Sequence, residues 1–363
     1  MSMMEKLKKN SSIKDSAMLS KSKFFTKKDM IPTSIPAINI ALSGRLDGGL
    51  TPGLTMFAGP SKHFKTLFSL LLAKAYMDKY PEAVMIFYDS EFGTPLSYFD
   101  SMDIDTNRVL HSPFLNIEQL KIDVMGQVDK FDRGDHIIMV VDSIGNSASK
   151  KEVEDAIDGK TVADMTRAKA LNGFFRMITP YLNVKDIPMV VVNRTYKTME
   201  LYAKDVVSGG TGSYFAADNI YIVGRQQERE GTELTGYNFI INVEKSRFVR
   251  EKSKIPISVS FEGGMSTWSG LLEIALESGH VVKPSNGWYS KVNVETGEVE
   301  AKKYRSKDTD NKDFWLPLLL DKTFQDWVKK NYQISNNNLL ATDTEIIEEL
   351  DAIEEDDIEA ELV

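Results

Sequence analysis

The sequence predicts an α/β fold with a mostly parallel central sheet, and two features of its pattern carry this prediction. Between Gly49 and about Gly264, short apolar runs alternate with segments of helical spacing. The runs are apolar throughout rather than at every second position, which is typical of strands covered by helices on both faces. Such alternation favours a parallel sheet, and ligands bind these sheets beyond the carboxyl ends of the strands.

The elements expected in this region are strand 54–58, helix 65–79, strand 83–89, helix 117–131, strand 136–142, helix 162–184, strand 188–193 and strands 219–225, 237–243 and 255–261. On helix 117–131, one face carries Ile117, Leu120, Val124 and Val128, which have the spacing of a buried stripe. We expect the last three strands to extend the sheet along one edge.

The chain is expected to divide into four parts. A basic N-terminal arm (1–32) precedes an α/β core (33–268), a small α+β domain (269–333) and an acidic, disordered tail (334–363). In the small domain we expect a helix at 269–278, a hairpin at 287–304 that turns at 295–297, and a helix at 313–332.

The formal net charge of −9 is unevenly distributed. Residues 343–363 contain eleven acidic residues and no lysine or arginine, whereas the first thirty residues contain eight lysines and three acidic residues. A concentrated acidic run does not fold alone. Two interpretations of the tail stay open: a segment that keeps the protein soluble, or one that competes with an anionic ligand for basic surface.

Composition excludes several classes of protein. No apolar run approaches the ~20 residues of a membrane span, and the lysine-rich start lacks the apolar stretch of a secretory signal. The absence of cysteine excludes disulfides, thiolate metal sites and cysteine nucleophiles. The four histidines lack ligand spacing, which argues against a zinc site: His63, His111, His136 and His280.

The sharpest motif follows the first strand and opens the first helix. It consists of Gly59, Pro60, Ser61, Lys62, His63, Phe64, Lys65 and Thr66. A phosphate-binding loop needs backbone N–H groups at a helix start, a lysine for the phosphates and a hydroxyl for magnesium. Gly59, Lys65 and Thr66 have this spacing, although Phe64 replaces the second glycine of the strict pattern. The strand-to-helix context therefore favours a phosphate loop over a chance match.

Polar residues follow three of the expected strands. Asp142 ends strand 136–142, where a P-loop ATPase places its magnesium-side carboxylate. Glu91, just beyond strand 83–89, is suited to activating a water molecule. Arg194 follows strand 188–193 and is suited to contacting a γ-phosphate. The alternatives are a turn-capping Asp142, a solvated Glu91 and a surface Arg194.

Taken together, the motifs resemble those of the RecA-type recombinases, in particular the UvsX group encoded by T-even-type bacteriophages. The resemblance runs from about Lys23 to Tyr332 and is carried by Ser22-Lys-Phe-Phe25, Ile40-Ala-Leu-Ser-Gly44, Ala58-Gly-Pro-Ser-Lys62, Phe87-Tyr-Asp-Ser-Glu-Phe-Gly93, Val141-Asp-Ser143, Met165-Thr-Arg-Ala-Lys169, Val243-Glu-Lys-Ser-Arg247 and Asn286-Gly-Trp-Tyr289. An aromatic residue in the phosphate loop is itself typical of this phage group.

The resemblance implies a DNA-dependent ATPase with ATP and Mg²⁺ as cofactors. Thr66 and Asp142 would lie on the magnesium side, Glu91 would be the catalytic glutamate, and Tyr98 would stack on the adenine. Lys245 and Arg247 match a basic pair that reaches the γ-phosphate bound to a neighbouring subunit. Arg194 takes the γ-phosphate sensor position, where RecA itself has glutamine.

The resemblance also implies two DNA-binding loops, at about 146–165 and 195–213. The matching DNA-binding positions are Lys169, Asn172, Arg176, Gly209, Gly210 and Thr211. The alternative for the glycine segment is a plain linker. A further basic cluster has two interpretations, a guide for duplex DNA or a solvated hairpin end: Lys302, Lys303, Arg305 and Lys307. In the arm, Phe24 and Phe25 are expected to pack on a neighbouring subunit.

The function implied is ATP-dependent homologous pairing and strand exchange by a helical homo-oligomer on single-stranded DNA, in the host cytoplasm. The implied partners are single-stranded and homologous duplex DNA, a UvsY-like mediator and a phage single-stranded-DNA-binding protein, with no membrane. The products would be ADP and possibly AMP. Three rival functions share the phosphate loop: a hexameric helicase, an ATP-binding mediator with little hydrolysis, and a small-molecule kinase.

Overall fold

The computed structural model describes residues 2–24, 28–160, 166–199 and 203–334. In these ranges the strands, numbered in chain order, are β1 (Gly53–Ala58), β2 (Val84–Asp89), β3 (Val109–Pro113), β4 (Ile137–Asp142), β5 (Pro188–Asn193), β6 (Thr195–Lys197), β7 (Asp205–Val207), β8 (Asn219–Glu230), β9 (Glu233–Lys245), β10 (Lys254–Ser260), β11 (Gly264–Met265), β12 (Val281–Ser285), β13 (Trp288–Lys291) and β14 (Tyr304–Arg305).

The helices in the same ranges are α1 (Met3–Asn10), α2 (Pro36–Ser43), α3 (Lys65–Lys79), α4 (Leu96–Ser101), α5 (Ile117–Lys130), α6 (Lys150–Ile157), α7 (Thr166–Lys185), α8 (Thr211–Ala216), α9 (Leu271–Glu277), α10 (Lys312–Leu320) and α11 (Lys322–Tyr332). Short 3₁₀ segments lie at Leu19–Lys21, Thr106–Arg108 and Ser306–Thr309. None of these helices has both the length and the apolar character that crossing a membrane requires.

The central sheet has the strand order β11-β10-β9-β8-β1-β5-β4-β2-β3. From β3 to β8 every neighbouring pair is parallel, and from β8 to β11 every pair is antiparallel. The expected α/β class is therefore confirmed, with a mostly parallel sheet that the later strands extend along one edge. A three-stranded sheet (β12, β13, β14) and a two-stranded hairpin (β6, β7) lie outside it.

The core has two layers because neighbouring residues of a strand point to opposite faces. Strands β1, β4 and β5 are buried along their whole length. On β1, Phe57 belongs to the apolar cluster on one face of the sheet and Met56 to the cluster on the other. Helix α3 covers the first face through Phe68, and helices α5 and α7 cover the second, where Leu120 and Phe174 are fully buried.

Most of the predicted elements of the core agree with the structure. Helix α3 and strand β5 have the predicted limits, and the predicted apolar stripe of α5 is completely buried. Strand β3 was missed because it lies at the edge of the sheet and is largely exposed, so it has no continuous apolar run. Strands β8 and β9 are longer than expected, because their exposed, polar ends pair as a hairpin.

The prediction of one helix at 313–332 is wrong, since two helices, α10 and α11, occupy this range. The helical conformation is interrupted at Asp321. Its carboxylate accepts a hydrogen bond from the Thr323 N–H (2.8 Å) and so caps the start of α11. The helix expected at 162–184 begins at Thr166 within the described residues.

Three side chains near the C-terminus, Phe314, Trp315 and Phe324, belong to the same buried cluster as Ile38 and Ile257 of the main body. The boundary of a small domain at residue 269 therefore stays a prediction. Phe25, residues 161–165 and the acidic tail from 335 onward lie outside the described residues, and so do the expectations made for them.

Replacing Phe174 by Ala should destabilise the core, because its ring is fully buried under the sheet. The expected loss in the free energy of unfolding is about 3–5 kcal/mol, from lost burial and the cavity left behind. Urea unfolding followed by circular dichroism measures this change. Met177→Ala is the matched control, since Met177 lies on the same helix but is 40% exposed. Equal losses in both variants would contradict the described packing of α7.

Candidate functional site

A cavity of about 580 Å³ lies at the carboxyl edge of the sheet. The strand register creates it: Ala58 of β1 pairs with Asn193 of β5, and Asp89 of β2 pairs with Asp142 of β4, so all four strands end at one edge. The expected site residues that line the cavity are Gly59, Ser61, Lys62, His63, Phe64, Lys65, Thr66, Glu91, Tyr98, Asp142 and Arg194.

The segment Gly59–Thr66 forms a tight turn between β1 and α3. Lys62 and Phe64 both have a φ of 61°, in the left-handed region, and α3 begins at Lys65. When residues with left-handed backbone alternate with residues of ordinary backbone conformation, successive backbone N–H groups turn toward one side. They then form a concave anion site at a helix start. Gly59 is required by close approach, since a Cβ there would lie 2.9 Å from the Val223 carbonyl oxygen.

Phe64 stands where the strict motif has glycine, and the structure shows how a side chain is tolerated there. Its left-handed backbone costs a non-glycine residue roughly 1–2 kcal/mol. The ring stacks on Phe239 (centroids 4.8 Å apart) and meets Phe68 edge-on (5.9 Å). Aromatic pairs contribute about 0.5–1.5 kcal/mol each beyond burial, so these two contacts offset the strain.

The side chain of Lys65 folds back onto the turn that precedes α3. Its Nζ donates a hydrogen bond to the Pro60 carbonyl oxygen (2.7 Å). Burial lowers the pKa of this ammonium from its ordinary value, and the carboxylates of Asp142 and Glu91 oppose that shift. The cation is thus held within the loop, between a carbonyl and two acidic side chains.

Thr66 and Asp142 meet beneath the loop, and their oxygens fit a magnesium ion. The Thr66 Oγ1 hydroxyl donates to Asp142 Oδ2 (2.6 Å), and Asp142 is only 4% exposed. Burial raises the pKa of Asp142 to about 6, and the charges of Glu91 and Asp89 add to the rise. A hydroxyl beside a buried carboxylate is the kind of hard oxygen donor set that Mg²⁺ takes with phosphate oxygens. No cluster of three or more metal-ligating side chains occurs among the described residues.

Glu91 is held by contacts from two directions. The Glu91 and Phe92 N–H groups donate to Asp89 Oδ1 (3.0 and 2.8 Å), which fixes the turn after β2. Its carboxylate Oε1 accepts from Ser143 Oγ at 2.6 Å. Glu91 is therefore an ordered carboxylate that faces the same cavity as Lys65 and Thr66.

Sequence reasoning missed several residues of this cavity. Asn146 lines it and links Glu91 to Arg194. Arg225 lies over the Tyr237 ring (4.6 Å) and donates to the Lys62 carbonyl oxygen (3.1 Å). Arg225 reaches the cavity because β8 pairs parallel with β1, which brings residues just beyond Ile222 to the same edge. This pairing is a property of the completed fold and not of a local sequence pattern.

Tyr98 lies on α4 and lines the same cavity, 38% exposed. Phe261, also exposed, lines it from the β10 side. The cavity therefore has aromatic walls next to its phosphate loop.

Lys245 and Arg247 do not line the cavity of their own subunit. Lys245 Nζ donates to the carbonyl oxygen of Tyr214 (2.8 Å), and Arg247 Nε pairs with Asp218 Oδ1 (2.5 Å). Asp218 in turn accepts from the Leu54 N–H (2.8 Å) at the start of β1. The phosphate loop leaves the other end of β1, roughly 16 Å away at ~3.3 Å per residue. These two cations are thus separated from the phosphate loop of their own chain.

The expected DNA-binding residues lie side by side, some on helix α7 and the others in the glycine segment of the second expected loop. Lys169, Asn172 and Arg176 are exposed on α7. The glycine segment packs against this helix, since a Cβ on Gly212 would lie 2.0 Å from the Asn172 side-chain oxygen and one on Gly209 would lie 3.1 Å from Leu171. Gly210 and Thr211 follow at the start of α8.

Comparison with known proteins gives results at two levels of similarity. A family model for the C-terminal domain of the bacteriophage T4 recombination and repair protein matches residues 268–328. The recombination and repair protein of Enterobacteria phage T4 is 49% identical over 333 residues, which cover 91% of this chain and 85% of that protein. Protein RecA of Streptomyces rimosus is 24% identical over 268 residues, 72% of this chain and 68% of its own length.

The T4 match covers nearly the whole chain at high identity, and the RecA match covers nearly three quarters of it at lower identity. Both agree with the resemblance drawn from the motifs and with the recombinase function expected from it. The chain belongs to the UvsX family of bacteriophage recombination and repair proteins, within the RecA-type recombinases.

Proposed function

We propose that this recombinase binds and hydrolyses ATP at the carboxyl edge of its sheet while it is assembled on single-stranded DNA, and that the assembly pairs and exchanges homologous strands. The observation that carries the proposal is the convergence in one cavity of a phosphate loop, the Thr66–Asp142 pair and the ordered Glu91 carboxylate. Family membership supplies the recombination context.

Phosphate binding would use the turn before α3. Backbone N–H groups of the turn, with those of Ser61, His63 and Phe64 among them, would donate to the phosphate oxygens. Lys65 would exchange the Pro60 carbonyl for the β- and γ-phosphates, a stronger, charge-assisted contact. Thr66 and Asp142 would hold Mg²⁺, which supplies charge neutralisation on the β- and γ-phosphates when bound.

Hydrolysis would use Glu91 as general base. The carboxylate accepts a proton from a water molecule as the water oxygen forms a bond to the γ-phosphorus. The bond from that phosphorus to the β–γ bridging oxygen breaks, which leaves ADP and inorganic phosphate. Production of AMP would need a second cleavage, for which we assign no residue.

The remaining site residues divide between one subunit and the next. Tyr98 would stack on the adenine, and Arg194 would contact the γ-phosphate from within the subunit. Lys245 and Arg247 would reach the nucleotide of a neighbouring subunit, as an arginine finger does. Their distance from the phosphate loop of their own chain supports this assignment.

DNA would bind along α7 and the adjoining glycine segment, through Lys169, Asn172, Arg176 and the backbone of Gly209–Thr211. Contacts of this kind to phosphates need no base readout. Further proposals follow from the family: a helical homo-oligomer with an N-terminal oligomerisation arm (1–32), a UvsY-like mediator, a phage single-stranded-DNA-binding protein, and action in the host cytoplasm. The core (33–268), the small domain (269–333) and the acidic tail (334–363) complete this organisation.

Glu91→Gln should bind ATP but lose hydrolysis, because the amide cannot accept the proton. We expect single-stranded DNA to stimulate phosphate release by the unmodified protein, and the variant to lose about 10²–10⁴-fold of that rate. Glu295→Gln, which alters an exposed acid in the hairpin of the small domain, is the control. Closed rings in negative-stain micrographs, or a fully active Glu91→Gln, would contradict the proposal.

Thr66→Val should weaken nucleotide binding only when magnesium is present, because valine keeps the shape of threonine but lacks the hydroxyl. Fluorescent-nucleotide titrations with Mg²⁺ and with EDTA measure this difference. We expect a loss of about tenfold with Mg²⁺, the effect of one bond to a charged group, and almost none with EDTA. Thr66→Ser retains the hydroxyl and should behave as the unmodified protein does. An equal loss under both conditions would argue against a metal role.

A further inference from the structure

Asn146 bridges two groups of the proposed hydrolytic site. Its side-chain Nδ2 donates to Glu91 Oε1 (3.1 Å), and its Oδ1 accepts from Arg194 Nη1 (2.6 Å). The amide thereby uses both of its ends, one on the carboxylate that would take a proton and one on the cation that would contact the γ-phosphate. Asn146 is exposed, so its bridge is within reach of a ligand.

The backbone around Asn146 is held by helix α7, which carries the proposed DNA-binding residues. Arg167, on the first turn of α7, donates from Nη2 to the carbonyl oxygens of Ile144 (3.0 Å) and Gly145 (2.8 Å) and from Nε to that of Ser147 (2.8 Å). These three carbonyls flank Asn146. A displacement of the first turn of α7 is therefore transmitted to Asn146 through one side chain.

The turn at 144–147, which contains Asn146, is packed tightly against Arg194. A Cβ on Gly145 would lie 2.9 Å from both the backbone nitrogen and Cγ of Arg194. Because closely packed elements shift as units rather than deform, movement of the 144–147 turn also changes the position of Arg194.

The Asn146 bridge restrains Glu91, the proposed general base, rather than preparing it to accept a proton from water. Glu91 Oε1 accepts hydrogen bonds from both Ser143 and Asn146, so two protein donors occupy the oxygen that a water molecule would otherwise approach. Arg194 is meanwhile bound to an amide oxygen instead of a phosphate. Release of Asn146 removes one donor from Glu91 and frees Arg194 together.

We propose that Asn146 is a positioning residue that holds Glu91 and Arg194 in a resting arrangement, and that DNA binding at α7 releases it through Arg167. The inference rests on the proposed ATPase function and names the side chain that couples DNA binding to hydrolysis. It assigns Asn146 no contact with ATP.

The test compares ATP hydrolysis without DNA and at saturating single-stranded DNA for three variants. Asn146→Ala removes both halves of the bridge, and Asn146→Asp keeps an acceptor for Arg194 but loses the donor to Glu91. We expect Asn146→Ala to raise the DNA-free rate about fivefold, the effect of one hydrogen bond, and Asn146→Asp to raise it less, because its carboxylate still binds Arg194. The DNA-saturated rate of both variants should stay within about twofold. Gln226→Ala, an exposed amide on β8, should leave both rates unchanged.

The ratio of the two rates is the deciding measurement, since a merely structural defect lowers both. If Asn146→Ala lowers both rates in parallel, or leaves their ratio unchanged, the restraint is overturned while the ATPase proposal stands. If the unmodified protein itself shows no DNA-stimulated hydrolysis, the proposed function fails first. Fluorescent-nucleotide affinity, measured on every variant, shows whether the nucleotide site remains intact.

Discussion

The parallel register of the central strands is the constraint on which the rest of the molecule depends. The register pairs Ala58 with Asn193 and Asp89 with Asp142, so that the loops after these four strands leave the sheet at the same edge. Lys65, Thr66, Glu91, Asp142 and Arg194 each lie on or just after one of these strand ends. A slip of one residue would turn every side chain of a strand to the opposite face and separate Thr66 from Asp142. The close packing of each side chain in its own cluster, Phe57 on one face and Met56 on the other, opposes such a slip.

Much of this arrangement could be predicted from the sequence, because apolar runs and a phosphate-loop motif are local patterns. Helix α3 and the buried stripe of α5 are examples. Strand β3 could not be predicted, since its exposed position gives no hydrophobic pattern. The packing of Phe64 on Phe239 and the bridge made by Asn146 join residues far apart in sequence, and they depend on the completed fold. The interruption between α10 and α11 depends on one capping residue, Asp321, and it leaves the apolar pattern of the segment unchanged.

The proposed assignment divides the ATPase site between two neighbouring subunits. Glu91, Lys65, Thr66 and Asp142 converge on one cavity, whereas Lys245 and Arg247 are bound near the opposite end of β1. Phosphoryl transfer needs cations where negative charge develops. In the proposed head-to-tail assembly, Lys245 and Arg247 of one subunit would meet the nucleotide cavity of the next, which would resolve the mismatch. Assembly would thereby control hydrolysis, and the Asn146 bridge would add control by DNA.

Mixing two inactive variants tests this shared site most directly. Glu91→Gln and Lys245→Ala are each expected to lose DNA-stimulated ATP hydrolysis when assayed alone. In an equal mixture on single-stranded DNA, some interfaces combine an intact Glu91 with an intact Lys245 from the neighbouring chain. The account predicts recovery of about a quarter of the normal rate, the share of such interfaces in a random head-to-tail assembly. A mixture as inactive as its components, although both variants bind DNA and co-assemble, would contradict it.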